Sequence, residues 1–137
     1  MPQYNGGCLC GKIRYSASAD PIFTGVCHCT TCQKGIGAAF NAVVAIPEPA
    51  LTVTGTPKTY TGKGDSGKAL YRRFCPDCGA SLFTSAELMP GVVMISTGTL
   101  DDTSEVKPGM QIYCDSAQSW VHLGGDIKSF PKMPGPG

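Results

Sequence analysis

The chain has 137 residues, with 18 Gly, 11 Pro and 8 Cys, and only 15% of it is charged, against about 25% in an ordinary soluble domain. An apolar content of 42% excludes a charge-rich disordered chain, and no apolar stretch approaches the ~20 residues of a spanning helix. The formal net charge of +1 excludes the basic face of a dedicated nucleic-acid binder.

The abundant Gly and Pro disfavour long helices and favour short strands joined by tight turns. Lys12 to Ala17 alternates as a strand, with Ile13 and Tyr15 on one face. Pro21 opens a second segment, Ile22 to Val26, which leads into a loop bearing Cys27, Cys29 and Cys32. Ala38 to Ile46 is a long, mostly apolar run, stopped by Pro47 and Pro49. Leu51 to Thr54 and Lys58 to Thr61 read as a hairpin around Gly55, Thr56 and Pro57, and residues 62–68 as a flexible turn. Ala69 to Phe74 runs directly into Cys75, Pro76, Asp77, Cys78 and Gly79. Ala80 to Ser85 and Val92 to Thr97 are further strands, with at most a helical turn at Ala86 to Met89 between them. Asp101 to Pro108 is polar, Met110 to Cys114 is strand-like, and Trp120 to Leu123 precedes a Gly- and Pro-rich end. The pattern predicts a mainly β single domain over residues 1–134, followed by a flexible tail at 135–137.

The opening residues show neither the basic nor the apolar segment of a secretion signal, so a cytoplasmic location is expected. In that reducing compartment eight cysteines point to metal thiolates rather than disulfides. Zinc held by four thiolates at ~2.3 Å needs sulfurs about 3.8 Å apart. Cys75 and Cys78 suit one such knuckle, with Gly79 free to take the positive φ that follows it. Cys8 and Cys10 can supply the other two ligands, because residues i and i+2 of extended backbone point to one side. A closed, structural zinc is therefore expected on Cys8, Cys10, Cys75 and Cys78.

Cys27, Cys29 and Cys32 provide three ligands rather than four, which leaves a coordination position for water or substrate, as in a catalytic zinc. Cys114 would close that site if it were a fourth ligand. Its sharing of a strand face with Ile112 favours a buried core thiol instead. Cys29 and Cys32 also form a C-x-x-C capable of redox work. With both zincs bound, four thiolates contribute −2 and three contribute −1, which takes +1 to about −2 and disfavours polyanions. His28, between two ligands, is expected to be structural or solvent-facing, and His122 a sheet residue. Lys34, Lys68, Arg72 and Arg73 are the basic residues nearest the cysteine clusters; each can pair a substrate carboxylate, or simply be a solvated charge.

Read together, these motifs resemble the glutathione-dependent formaldehyde-activating enzyme family, whose domain is shared with centromere protein V. The matching pieces run from Gly6–Gly11 through Cys27–Cys32 with Lys34 and Gly37, Ser66–Gly67, Arg73–Gly79 and Gly98–Asp102 to Ile112–Tyr113 and Trp120. Gln33 stands where the family often has Arg, Gln111 where it often has His, and Cys114 lies outside its pattern. The resemblance implies a β-tent of two small antiparallel sheets pinned by a structural zinc on Cys8, Cys10, Cys75 and Cys78. It also implies a catalytic zinc on Cys27, Cys29 and Cys32, two zinc ions per chain, and Lys34, Gly37 and Arg73 as substrate-binding positions. The implied activity is that of a carbon–sulfur lyase: glutathione, or another thiol, adds to formaldehyde to give S-hydroxymethylglutathione, or leaves it in reverse. The partner is then a small-molecule thiol, with no nucleic acid and no membrane. A second possibility is a non-catalytic, zinc-stabilised protein-binding module, expected to show an apolar groove beside residues 62–68. A third is thiol redox work through Cys29 and Cys32 or Cys114.

Overall fold

A computed structural model describes residues 1–134; the expected tail at 135–137 lies outside the described residues. Twelve elements follow in chain order: β1 (Gln3–Gly7), β2 (Arg14–Ser18), β3 (Phe23–Cys27), α1 (Thr30–Ile36), β4 (Asn41–Pro47), β5 (Leu51–Thr54), β6 (Lys58–Lys63), β7 (Ala69–Phe74), β8 (Ser81–Ala86), β9 (Val92–Ser96), β10 (Met110–Ile112) and β11 (Lys128–Ser129). No helix among the described residues is long and apolar enough to cross a membrane.

The strands form two sheets, as expected of a mainly β chain. The smaller has the order β1-β2-β5 and is antiparallel throughout. The larger has eight strands, β11-β10-β3-β4-β9-β8-β7-β6, and is not purely antiparallel: β10 runs parallel to both β3 and β11. The expected hairpin of Leu51–Thr54 with Lys58–Thr61 does not form. β5 pairs with β2 in the small sheet, while β6 pairs with β7 in the large one. The reason is amphipathicity. Leu51 and Val53 of β5 pack against the core, whereas β6 is almost wholly exposed and offers no apolar face to share.

The core lies between the sheets. Ile13, Tyr15 and Ala17 face Val44, Ile46, Phe83, Val93 and Ile95, all at most 4% exposed, and each large side chain contributes roughly 1.5–3 kcal/mol of burial. Tyr15 and Phe83 meet edge-on at 5.2 Å between ring centroids. A bulge leaves Leu82 without a partner, because Arg73 pairs with Phe83 and Phe74 with Ser81, so Leu82 and Phe83 both enter the core.

The large sheet is covered on one face by the small sheet. Its other face curls into a cavity of about 740 Å³. The β6–β7 turn at one edge and Tyr113 beyond β10 at the other both line that cavity. β4 is buried on both faces for this reason: Val44 and Ile46 point to the core, Asn41 and Val43 to the cavity. Trp120 to Leu123 is not a strand, and Trp120 is exposed.

Candidate metal centres

The four sulfurs of Cys8, Cys10, Cys75 and Cys78 lie within 4.8 Å of one another. Cys8 and Cys10 are 3.6 Å apart and Cys10 and Cys75 3.8 Å, which matches the spacing of thiolates tetrahedrally arranged about an ion with ~2.3 Å bonds. Two turns of similar design bring them together. In the β1–β2 turn the Cys8 amide donates to the Ile13 carbonyl (3.0 Å), and in the β7–β8 turn the Cys75 amide donates to that of Ala80 (3.0 Å). Each last cysteine is followed by a glycine at positive φ, Gly11 at 82° and Gly79 at 78°, a conformation an L side chain resists by roughly 1–2 kcal/mol. Backbone amides also point at sulfur, from Ile13 to Cys8 (3.3 Å) and from Cys78 to Cys75 (3.5 Å). Lys12 of one turn pairs with Asp77 of the other at 3.3 Å. An amide hydrogen bond from Ala80 holds the Cys78 thiol down, to about 6. Cys8 and Cys75 belong to the hydrophobic core, with Cys78 packed against it.

Cys27, Cys29 and Cys32 form a second cluster, again with all sulfurs within 4.8 Å. The segment is not the loop expected from the sequence. Cys27 ends β3, Cys29 caps α1 and accepts from the Cys32 amide (3.2 Å), and Cys32 lies in the first turn of that helix. A cap normally falls to Ser, Asp or Asn, and here a thiol fills the same role. Hydrogen bonds from Cys27 and Cys32 hold the Cys29 thiol down to about 2, and the same contact with Cys29 pushes Cys27 up. Three thiols this close resist joint ionisation, and a bound cation compensates all three charges. The donor set thus fits a soft metal ion.

All three cysteines line the 740 Å³ cavity, and none belongs to the core. Arg72 of β7 lines it too and donates to Cys32 Sγ at 3.8 Å. Its guanidinium lies flat against the helix at Gly35, where a Cβ would come within 2.8 Å of Nη1. Tyr113 also lines the cavity, directly after Ile112, which pairs with Cys27; it is a non-glycine residue at positive φ (55°) where β10 ends. Burial, and then the facing Asp65 carboxylate, push the Tyr113 hydroxyl up to about 12, so it stays a proton donor.

The other candidates separate clearly. Cys114 does not join the three-sulfur cluster: its thiol sits in a short 3-10 turn and donates to the Gln111 carbonyl at 3.6 Å. His28 is fully buried, its Nε2 donating to Gln111 Oε1 at 2.8 Å and its ring edge-on to Phe40, while Nδ1 has no partner among the described residues. Gln33 donates to the carbonyls of His28 (2.7 Å) and Ser116 (3.0 Å), tying α1 to the chain after β10. Lys34 and Gly37 sit at the far end of α1, Gly37 as its left-handed C-cap, and do not line the large cavity. Arg73 faces the other way, its guanidinium over the Phe83 ring at 4.9 Å. Arg72 and Tyr113 carried no sequence signal that singled them out, beyond the basic pair and the aromatic after Ile112.

The profile of one protein family, glutathione-dependent formaldehyde-activating enzyme, matches residues 3–116. An uncharacterized lyase of Schizosaccharomyces pombe is 31% identical over 83 residues, 61% of this chain and 58% of that protein. A Phaeosphaeria nodorum protein, provisionally named a glutathione-dependent formaldehyde-activating enzyme, is 34% identical over 76 residues, 56% of this chain and 40% of that one. The chain spans about half the length of the curated relatives it matches. A crystal structure of a Rhodobacter sphaeroides protein shares the fold, with a TM-score of 0.56 over 71% of this chain and 87% of that one at 17% identity. The match over residues 3–116, which takes in seven of the clustered cysteines in order, places this chain in the glutathione-dependent formaldehyde-activating enzyme family.

Proposed function

We propose that residues 1–134 form one zinc-binding unit that acts as a carbon–sulfur lyase on glutathione, or a similar thiol, and a small aldehyde. The observation that carries this is the three-thiol cluster opening onto the cavity, in contrast to the four-thiol cluster, which draws Cys8 and Cys75 from the core and lines no part of that cavity. Cys8, Cys10, Cys75 and Cys78 would hold a structural zinc, and Cys27, Cys29 and Cys32 a second zinc with a position left for a ligand. That second ion supplies an electrophilic centre that lowers the pKa of a thiol.

The chain's own residues supply the rest. Arg72, beside Cys32, offsets the negative charge of the thiolates and, with Lys68, offers the cavity two cations for the carboxylates of glutathione. Asp65, which lines the same cavity, would offer a carboxylate to its ammonium group. The Tyr113 hydroxyl, protonated at neutral pH, donates to the aldehyde oxygen as negative charge develops there. The sulfur electron pair forms the new bond to carbon, the carbonyl π bond breaks, and the thiol proton ends on that oxygen. A reducing cytoplasm keeps the ligand thiols free and supplies glutathione.

The test is native mass spectrometry for zinc, followed by exchange of labelled formaldehyde with glutathione. Two zinc ions per chain and accelerated adduct formation are expected. Two zinc ions with neither glutathione binding nor turnover would instead leave the docking-module reading, favoured by the apolar wall beside residues 64–68.

A further inference from the structure

The cavity is far larger than formaldehyde needs. A molecule with two heavy atoms displaces about 60 Å³, on the scale of two waters, against about 740 Å³ available. Nor does glutathione account for the remaining shape. Its two carboxylates and ammonium need charged partners, because burying them unpaired is costly. Those partners, Asp65, Lys68 and Arg72, lie in the β6–β7 turn and on β7. The rest of the floor is different. Of the lining residues that β3, β4, β8, β9 and β10 contribute, Cys27 alone carries an ionisable side chain, among the described residues. Phe23, Val43, Met94 and Met110 make up much of that floor, and Leu70 extends it on β7.

The register shows how far it reaches. Cys27 pairs with Asn41, Gly25 with Val43 and Met110, and Phe23 with Ala45, which in turn pairs with Met94. From Cys27 to Phe23 is four residues of β3, about 13 Å at ~3.3 Å per residue. In the middle of this track the Met110 side chain lies over Gly25, its Cγ 3.3 Å from where a Cβ would stand, so a flexible thioether rather than a fixed side chain forms the surface there. The track thus starts at a thiol of the cluster and ends at an aromatic ring, walled by two methionines that adapt to ligands of differing shape.

We infer that the site takes adducts of a thiol with an apolar aldehyde, an aryl or medium-chain alkyl one, whose hydrocarbon arm lies on this track. The inference rests on the proposed lyase reading and narrows its substrate class. The reaction is RSH + R′CHO ⇌ RS–CH(OH)R′. A sulfur–carbon bond forms, the carbonyl π bond breaks, the thiol proton passes to oxygen, and no oxidant or reductant is consumed.

Calorimetry on the zinc-loaded protein with S-methylglutathione and S-hexylglutathione, two inert mimics of the adducts, tests it directly. S-hexylglutathione is expected to bind at least about tenfold more tightly, since each methylene buried on the track adds affinity. With glutathione present, hexanal is expected to give a higher kcat/KM than formaldehyde. Val43→Phe, which fills the track, and Met94→Asp, which charges it, should each collapse the hexyl-to-methyl ratio below about threefold of unity. Circular dichroism checks that each variant folds, and the wild-type affinities decide the matter without them. Equal affinity for both mimics, with formaldehyde turnover intact, overturns the apolar-arm inference and leaves the lyase standing. Binding of neither mimic and no turnover of either aldehyde overturns both.

Discussion

The two cysteine clusters each hold their sulfurs within 4.8 Å of one another, yet only the first draws ligands from the core, even though its Cys10 is exposed. Cys8 and Cys75 are core residues, at 7% and 0% exposure, and the two turns that carry them join the small sheet to the large one. The Cys27, Cys29 and Cys32 cluster lies outside the core, on the wall of the cavity, with Arg72 beside it. A metal at the first would cross-link segments far apart in the chain and so stabilise the fold. A metal at the second would join residues already held together by the end of β3 and the cap of α1, so the fold gains little from it. Ligand spacing alone does not separate a structural from a reactive site; what surrounds the sulfurs does.

The sharpest way to break this contrast is to remove one ligand from each cluster. Cys75→Ser should lower Tm by about 15 °C or more, or prevent soluble expression, because a cross-link between the sheets is lost. Cys29→Ser should leave Tm within about 5 °C while zinc per chain falls by one and turnover drops at least about 100-fold. Thermal melts, native mass and adduct kinetics measure these together, and equal loss of stability in both variants would erase the distinction. Within the cavity, Tyr113→Phe removes a donor and keeps the ring. A fall in kcat of about 10- to 100-fold with little change in KM is expected if the hydroxyl meets the developing oxygen charge.

Arg72→Met should act mainly on binding, raising KM for glutathione about tenfold. Gly35→Ala should change KM in the same direction and by less, because its methyl displaces the guanidinium without removing it. The smallest effect belongs to the surface pair of Arg14 and Asp101, which links β2 to the segment after β9. Arg14 holds the Asp101 carboxyl below its usual range. Its contribution is therefore present above the unfolded value near pH 3.9 and is lost as pH falls through the lower folded value. Asp101→Asn should flatten the acid limb of a Tm-against-pH profile below about pH 4 and change little at pH 7.

Much of this was legible along the chain. Alternation locates β2, which has one face on apolar neighbours, and turn punctuation brackets β7, β8 and β9. Residues 51–61 carry a hairpin signal that the fold does not use, since turn chemistry at Gly55 to Pro57 is local while the choice of partner strand depends on which apolar face must be covered. Helix α1 leaves little signal in the sequence because a thiol caps it and its seven residues are too few for periodicity to show. Cys114 neither continues the strand of Ile112 nor becomes a buried core thiol: the strand stops where Tyr113 turns left-handed, and the thiol is left half-buried.

The amino-acid sequence by itself determined the division of eight cysteines into four, three and one, because metal-ligand spacing within a turn is a matter of a few backbone dihedrals. It also carried the family, through motifs whose order survives low identity. Only the tertiary structure decided that Arg72 rather than Arg73 reaches the three-cysteine cluster, and that an apolar track leads away from Cys27. Adjacent strand residues point to opposite faces, and which face becomes a cavity depends on how eight strands curl and where the small sheet covers them. No local stretch of sequence contains that information.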